Sequence, residues 1–161
     1  MGFFLIALGV LVADQLTKWL IRDNLEVNET LWQAGIFSIV RVKNTGAAFG
    51  MFQGQALLLA IIAGVVAVLV LFYVLWIHRR YPIFVGRLSW LALGLVLAGI
   101  IGNLIERVCY LIDPSRFVGV TDFIGVGRWP PFNIADSSLV VGAILLAFSL
   151  LLTLIKPDSS A

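Results

Sequence analysis

The sequence predicts an all-α membrane protein: four transmembrane helices carrying a small extracytoplasmic β-platform built from the two outer loops. Three observations predict it. Hydrophobic residues make up 61% of the 161 and charged residues only 12%, against about 25% charged in soluble domains. Four apolar runs reach the roughly 20 residues that cross a bilayer. The polar residues inside those runs gather toward one end of the bundle. Residues 1–161 are expected to form a single integral-membrane domain with helices at about 3–21, 56–77, 88–110 and 134–155. Helix is expected because lipid leaves an open backbone no other way to satisfy its polar groups.

The first run, Phe3–Ile21, contains Asp14 and Lys18 where a signal peptide would be cut, and it lacks a basic start. It is therefore expected to be a span and not a removable leader. In the loop that follows, Ile36–Lys43 is rich in β-branched residues and predicts a strand. Asn44-Thr45-Gly46 supplies turn chemistry, and Ala47-Ala48-Phe49-Gly50-Met51-Phe52 is small and apolar enough to lie on the membrane surface. The second run, Ala56–Ile77, is wholly apolar. The tight link His78–Arg87 holds Arg79, Arg80 and Arg87 and no acid; the lone His78 is expected to be a solvated helix end. The third run, Leu88–Ile105 or on to Ile112, has Gly94, Ala98 and Gly102 at steps of four, a stripe suited to close helix packing. Val118-Gly119-Val120-Thr121 predicts a second short strand, and Ile134–Ile155 is the fourth span.

Alternating spans place both long loops, residues 22–55 and 111–133, on one side. The density of arginine in the tight link, with Lys156 beyond the fourth span, assigns the other side and both termini to the cytoplasm. Trp19, Tyr110 and Trp129 then fall near the outer boundary, and Tyr73, Trp76 and Trp90 near the inner one. A net charge of +2 is too small to argue for a nucleic-acid partner. One cysteine, Cys109, excludes an intramolecular disulfide, and one cysteine with one histidine nearly excludes a His/Cys metal site.

The charged and amide residues within the spans are the unusual feature, because each is expensive in lipid. Asp14 and Lys18 share a face of the first helix. Asn103, Glu106 and Arg107 share one on the third, and Asp136 opens the fourth. Salt-bridged packing covers Lys18, Glu106 and Arg107 at least as well as a chemical role. Asn133 is well placed as an N-cap, with Asp136 the acid three residues on. Capping does not explain Asp122. The stretch Val120–Asp136, VTDFIGVGRWPPFNIAD, thus presents Asp122 and Asp136 as a water-activating pair at a membrane surface.

Gly119-Val120-Thr121-Asp122-Phe123 and Phe132-Asn133-Ile134-Ala135-Asp136 resemble the catalytic motifs of the lipoprotein signal peptidases, or signal peptidase II. Asp14-Gln15-Leu16-Thr17-Lys18, Val42-Lys43-Asn44-Thr45-Gly46-Ala47-Ala48-Phe49 and Gly102-Asn103-Leu104-Ile105-Glu106-Arg107 resemble the family's other motifs, in order along the chain. One position departs: Glu106 stands where the family usually has Asp, keeping the charge with one more methylene.

The resemblance implies an aspartic endopeptidase with no metal, no cofactor and no covalent intermediate. Asp122 and Asp136 would be catalytic. Asp14, Lys18, Asn44, Gly46, Asn103, Arg107, Asn133 and Ala135 would bind substrate or support the site. The implied partners are the lipid bilayer and bacterial prolipoproteins, cut just before a cysteine carrying diacylglycerol. The implied location is the bacterial cytoplasmic (inner) membrane, with the site near the outer leaflet of a monomer. Two carboxylates held close share a proton. Asp136, at a helix N-terminus, is expected to be the charged base and Asp122 the acid. Asn103, Asn133 and Arg107 are candidate oxyanion donors. Phe49, Met51, Phe52 and Trp129 are candidates for a lid.

Three rival readings compete. Ser137 or Ser138 with Lys18 would make a Ser/Lys peptidase. Two aspartates with Arg107 would suit a Mg²⁺ enzyme acting on a phospholipid headgroup. Asp14, Lys18, Glu106 and Arg107 would suit a proton or ion relay.

Overall fold

The computed structural model describes residues 2–47 and 51–155. Its elements in chain order are α1 (Gly2–Asn24), β1 (Thr30–Ala34), β2 (Phe37–Asn44), α2 (Ala56–Arg80), α3 (Gly86–Ile112), β3 (Val120–Val126), β4 (Trp129–Phe132) and α4 (Ile134–Ile155). Among the described residues, four helices are long and apolar enough to span a membrane, and four strands form one small antiparallel sheet in the order β1-β2-β3-β4. Of the segments expected at the membrane surface or beyond the last span, residues 48–50, with the lid candidate Phe49, and Lys156 lie outside the described residues.

α3 is the central helix. It buries 61% of its most apolar window, whereas the other three bury 11–17%. Small residues make this possible, as the stripe on the third run predicts. A methyl group on Gly94 would lie 3.0 Å from the Phe3 carbonyl of α1, and Ala98 is wholly enclosed. Gly99 and Gly142, which the stripe did not include, let α3 and α4 approach in the same way. Phe3, Ala67, Leu93, Leu97 and Ile100 fill the apolar core. Leu5, Leu8, Leu58 and Ile144 point outward, where lipid is as good a solvent for them as the core.

α1 runs past the expected end at Ile21, and α3 begins at Gly86 and takes in Arg87. Hydropathy marks only the lipid-facing part of a helix; the turns beyond it reach the interface, where polar side chains are hydrated. α2 contains a π-helical turn, Tyr73–Ile77. The Phe84 N–H donates to the Tyr73 hydroxyl at 2.9 Å. His78, expected to be solvated, is half-buried and edge-on to Trp90, with ring centroids 4.6 Å apart.

The sheet departs more from expectation. The strand expected at 36–43 lies one residue later, and the strand expected at 118–121 begins at Val120 and runs to Val126. β1 and β4 were not foreseen. β4 holds Pro130 and Pro131, which an edge strand tolerates because it needs no donor on its open side. The Gly/Pro-rich link between the two aspartates is therefore a β-hairpin. β3 pairs with β2 so that Val42 lies opposite Asp122 and Asn44 opposite Val120. Gly119, at φ +131°, passes the Asn44 carbonyl so closely that a Cβ would stand 2.8 Å from it.

Candidate active site

The first turn of α4 is held from two sides. Asn133 caps it: its Oδ1 accepts the Asp136 N–H at 2.9 Å, while Asp136 Oδ2 accepts the Asn133 N–H at 3.2 Å. This is a reciprocal capping box. Asp14 of α1 supplies a second cap, its Oδ1 accepting the Ala135 N–H at 2.8 Å. Ala135 must be small, because its Cβ lies against Gly102, where an added Cβ would be 2.9 Å away.

Capping leaves Asp136 Oδ1 for Asn103, whose Nδ2 donates to it at 2.7 Å. Asp122, on β3, is held in the same fashion. Its Oδ1 accepts from Asn133 Nδ2 at 2.6 Å and its Oδ2 from Asn44 Nδ2 at 3.0 Å. Asn133 therefore bonds both aspartates. Asn44 is itself fixed by an Asx turn, its Oδ1 accepting the Gly46 N–H at 2.9 Å. The Gly46 carbonyl then accepts from Arg107 Nη2 at 3.0 Å, tying the loop between β2 and α2 to α3.

Lys18 and Arg22 form their ion pairs with other acids. Lys18 pairs with Asp14 at 2.9 Å and Glu106 at 3.3 Å, and Arg22 also pairs with Glu106. Glu106 further accepts the Thr121 N–H at 2.8 Å and the Thr121 hydroxyl at 2.9 Å. Lys18, Arg22 and Arg107 face Asp14, Glu106, Asp122 and Asp136, and Lys43 of β2 lines the cleft beside Asp122. Burial first, then the Asp136 charge, push the Asp122 carboxyl up from 3.8 to about 7.

Asp122 and Asp136 line one open cleft of about 560 Å³, with Asn44, Asn103, Arg107 and Trp129 among its walls. Leu139, Val140 and Val141 extend it along α4. Asn133 is wholly buried and turns its amide to Asp122; it is absent from the cleft wall. Met51 and Phe52 are exposed, and Trp129 is an exposed part of the wall. The Ser/Lys dyad is not assembled: Ser137 Oγ donates to the Asn133 carbonyl and Ser138 Oγ to the Ala135 carbonyl, while Lys18 lies among Asp14, Asn103 and Glu106.

All ten residues singled out from the sequence are thus joined in one network. Sequence reasoning missed Arg22 and Thr121. Arg22 had a signal, since positions 14, 18 and 22 form one i,i+4 stripe of α1. Thr121 had none, because its partner lies 15 residues away across a turn of chain. Gln15 also contributes, donating to Asp14 Oδ2 and to the Gly102 carbonyl, each at 3.0 Å.

Residues 6–152 match the family model described as signal peptidase (SPase) II. The chain is 44% identical over 144 residues to the lipoprotein signal peptidase of Dehalococcoides mccartyi, covering 88% of this chain and 84% of that one. It is 40% identical over 158 residues to that of Bacillus subtilis, covering 94% of each. A bacterial membrane enzyme solved by the in meso method at 2.3 Å superposes with a TM-score of 0.82 at 28% identity, over 99% of this chain and 93% of that one.

Proposed function

The chain belongs to the signal peptidase II family, and on that premise we propose that it is an aspartic endopeptidase that removes signal peptides from bacterial prolipoproteins. The observation that carries the mechanism is that the buried Asn133 bonds both Asp122 and Asp136, and that these two aspartates line one cleft. A shared proton on this pair makes one carboxyl an acid and the other a base at neutral pH.

Asp136 takes a proton from water as the water oxygen bonds to the scissile carbonyl carbon. Asp122 gives its proton to the carbonyl oxygen. In the collapse, Asp136 returns its proton to the departing amine and Asp122 recovers one from the hydroxyl. The raised Asp122 carboxyl supports its role as the acid. The helix N-terminus at Asp136 supports its role as the base. Asn103 and Asn133 direct amide hydrogens to the carboxylates, which favours Arg107, on the cleft wall, as the donor that follows the developing oxyanion.

The substrate is a peptide whose bond sits just before a diacylglyceryl cysteine. The apolar extension of the cleft along Leu139, Val140 and Val141 suits a bond delivered from within the membrane. The site lies at the end of the bundle opposite the arginine-bearing link between α2 and α3, and the positive-inside tendency supports a position near the outer leaflet with both termini in the cytoplasm. Incubating purified protein with a diacylated prolipoprotein, with and without chelator, tests the reading. Cleavage is expected with chelator present, and Asp122→Asn and Asp136→Asn should each lose roughly a thousandfold or more of turnover. Chelator-sensitive cleavage, or turnover surviving either substitution, would reject the mechanism.

A further inference from the structure

Lys18 is an expensive residue to bury, and the steps above give it no task. Its side chain is wholly enclosed. Its ammonium reaches Asp14 Oδ2 at 2.9 Å, Glu106 Oε2 at 3.3 Å, Asn103 Oδ1 at 2.8 Å and, at 3.4 Å, the Gly102 carbonyl. Helix packing would need only the two ion pairs. The short bond to Asn103 goes to a neutral amide, and the other end of that amide faces the aspartate pair.

Asn103 Oδ1 accepts from two donors, Lys18 Nζ and Asn133 Nδ2 at 3.2 Å. A flipped amide would set its NH₂ against an ammonium and a second NH₂, with no acceptor for either. The Asn103 orientation is therefore fixed, and its Nδ2 points to Asp136 Oδ1. A cation behind the amide polarises it, and the resulting bond favours a charged acceptor. The amides on the Asp122 side lack that cation. Asn44 Oδ1 accepts the Gly46 N–H and Asn133 Oδ1 the Asp136 N–H, both neutral backbone donors.

The charged groups around the pair come from every element packed there. Arg107 stands on α3 with both aspartates in range, Lys43 of β2 lines the cleft beside Asp122, and Lys18 also acts through space on Asp122, more weakly than burial and the Asp136 charge do. Lys18 and Asp14 stand on α1, Glu106 on α3, and Arg22 on α1 answers Glu106. We infer that Lys18 is a positioning residue: by holding the Asn103 amide with its Nδ2 toward Asp136, it assigns the negative charge of the pair to Asp136. The inference rests on the two-aspartate reading.

Lys18→Met alone would strand two buried carboxylates, so the test uses Lys18→Met combined with Asp14→Asn, compared with Asp14→Asn alone. The pair removes one charge of each sign, and Asn at 14 keeps an oxygen for the Ala135 N–H. With a diacylated prolipoprotein, the double variant should lose about tenfold or more in kcat relative to Asp14→Asn, with KM within about twofold. The acidic limb of its kcat profile should lie about one pH unit higher. Asn103→Leu, which removes the relay itself, should reproduce the same limb shift. A limb and kcat matching Asp14→Asn, a loss confined to KM, or a wild-type limb in Asn103→Leu would overturn the inference. Inactive Asp122→Asn and Asp136→Asn beside wild-type-like kcat in the Lys18 variants sinks this inference alone. Turnover surviving in Asp136→Asn sinks the reading beneath it.

Discussion

Replacing Glu106 by Gln puts a magnitude on the buried network. Glu106 is 1% exposed, and each of its oxygens faces two donors. Oε1 receives Arg22 and the Thr121 hydroxyl; Oε2 receives Lys18 and the Thr121 N–H. Whichever oxygen becomes an NH₂, it meets a donor; Lys18 keeps its ion pair with Asp14, while Arg22 loses its ion pair with Glu106. Breaking a buried ion pair from one side costs ~3–5 kcal/mol. At 2–4 °C per kcal/mol for a chain of this size, the melting temperature should fall by about 6–20 °C. Glu106→Asp restores the residue common in the family and draws the carboxylate back by about 1.5 Å. Lys18 and Arg22 are flexible and can follow it. The Thr121 N–H, fixed in β3, cannot, so a buried donor is left unmet at ~1–3 kcal/mol. Thr121 adjoins Asp122, so turnover of Glu106→Asp should fall by more than its melting suggests. Tryptophan-fluorescence melts of detergent-solubilised protein measure the order wild type, then Asp, then Gln. A Gln variant melting within about 2 °C of wild type would refute the reasoning.

Other predictions concern the pair and its packing. The Asp122 carboxyl holds its proton to about 7 when folded but ionises near 3.8 when unfolded. The stability it confers is therefore full below the lower value and lost as pH rises through the higher one. Melting temperature should fall from pH 5 to pH 8, Asp122→Asn should flatten that fall, and turnover should decline above about pH 7 as the acid is lost. An undiminished slope in Asp122→Asn would contradict the assignment. Gly102→Ala would place a methyl group 2.6 Å from Asp14 Oδ2 and should destabilise by ~1–3 kcal/mol. Gly64→Ala, with open space around it, should be neutral or slightly stabilising in the same melts. Ser137→Ala and Ser138→Ala should both keep cleaving prolipoprotein; loss of activity in both would revive a serine nucleophile.

What could be foreseen divides by the range of the forces involved. The spans were legible because lipid imposes a length and a polarity on each helix separately. Asp14, Lys18, Asn103, Glu106, Arg107 and Asp136 stood out for the converse reason, as polar groups in a solvent that rejects them. The Asn133–Asp136 cap was legible because its spacing is local. β1 gave no signal because all five of its side chains are exposed and no alternation marks a buried face. β4 was hidden by two prolines, which a central strand would forbid and an edge strand accepts.

Sequence by itself determined the membrane class, the four helices and the intramembrane charges Asp14, Lys18, Glu106, Arg107 and Asp136, since each follows from composition or from spacing within one element; Asn44, Gly46 and Ala135 were marked only by resemblance to the family's motifs. Tertiary structure alone decided which cations neutralise Glu106. It is the meeting of α1 and α3 that gives Lys18 and Arg22 to Glu106, and the meeting of α3, α4 and β3 that leaves Asp122 and Asp136 bonded by neutral amides. Partners 80 residues and more apart in sequence become neighbours only when small residues such as Gly102 let the helices close, and no local pattern records that distance.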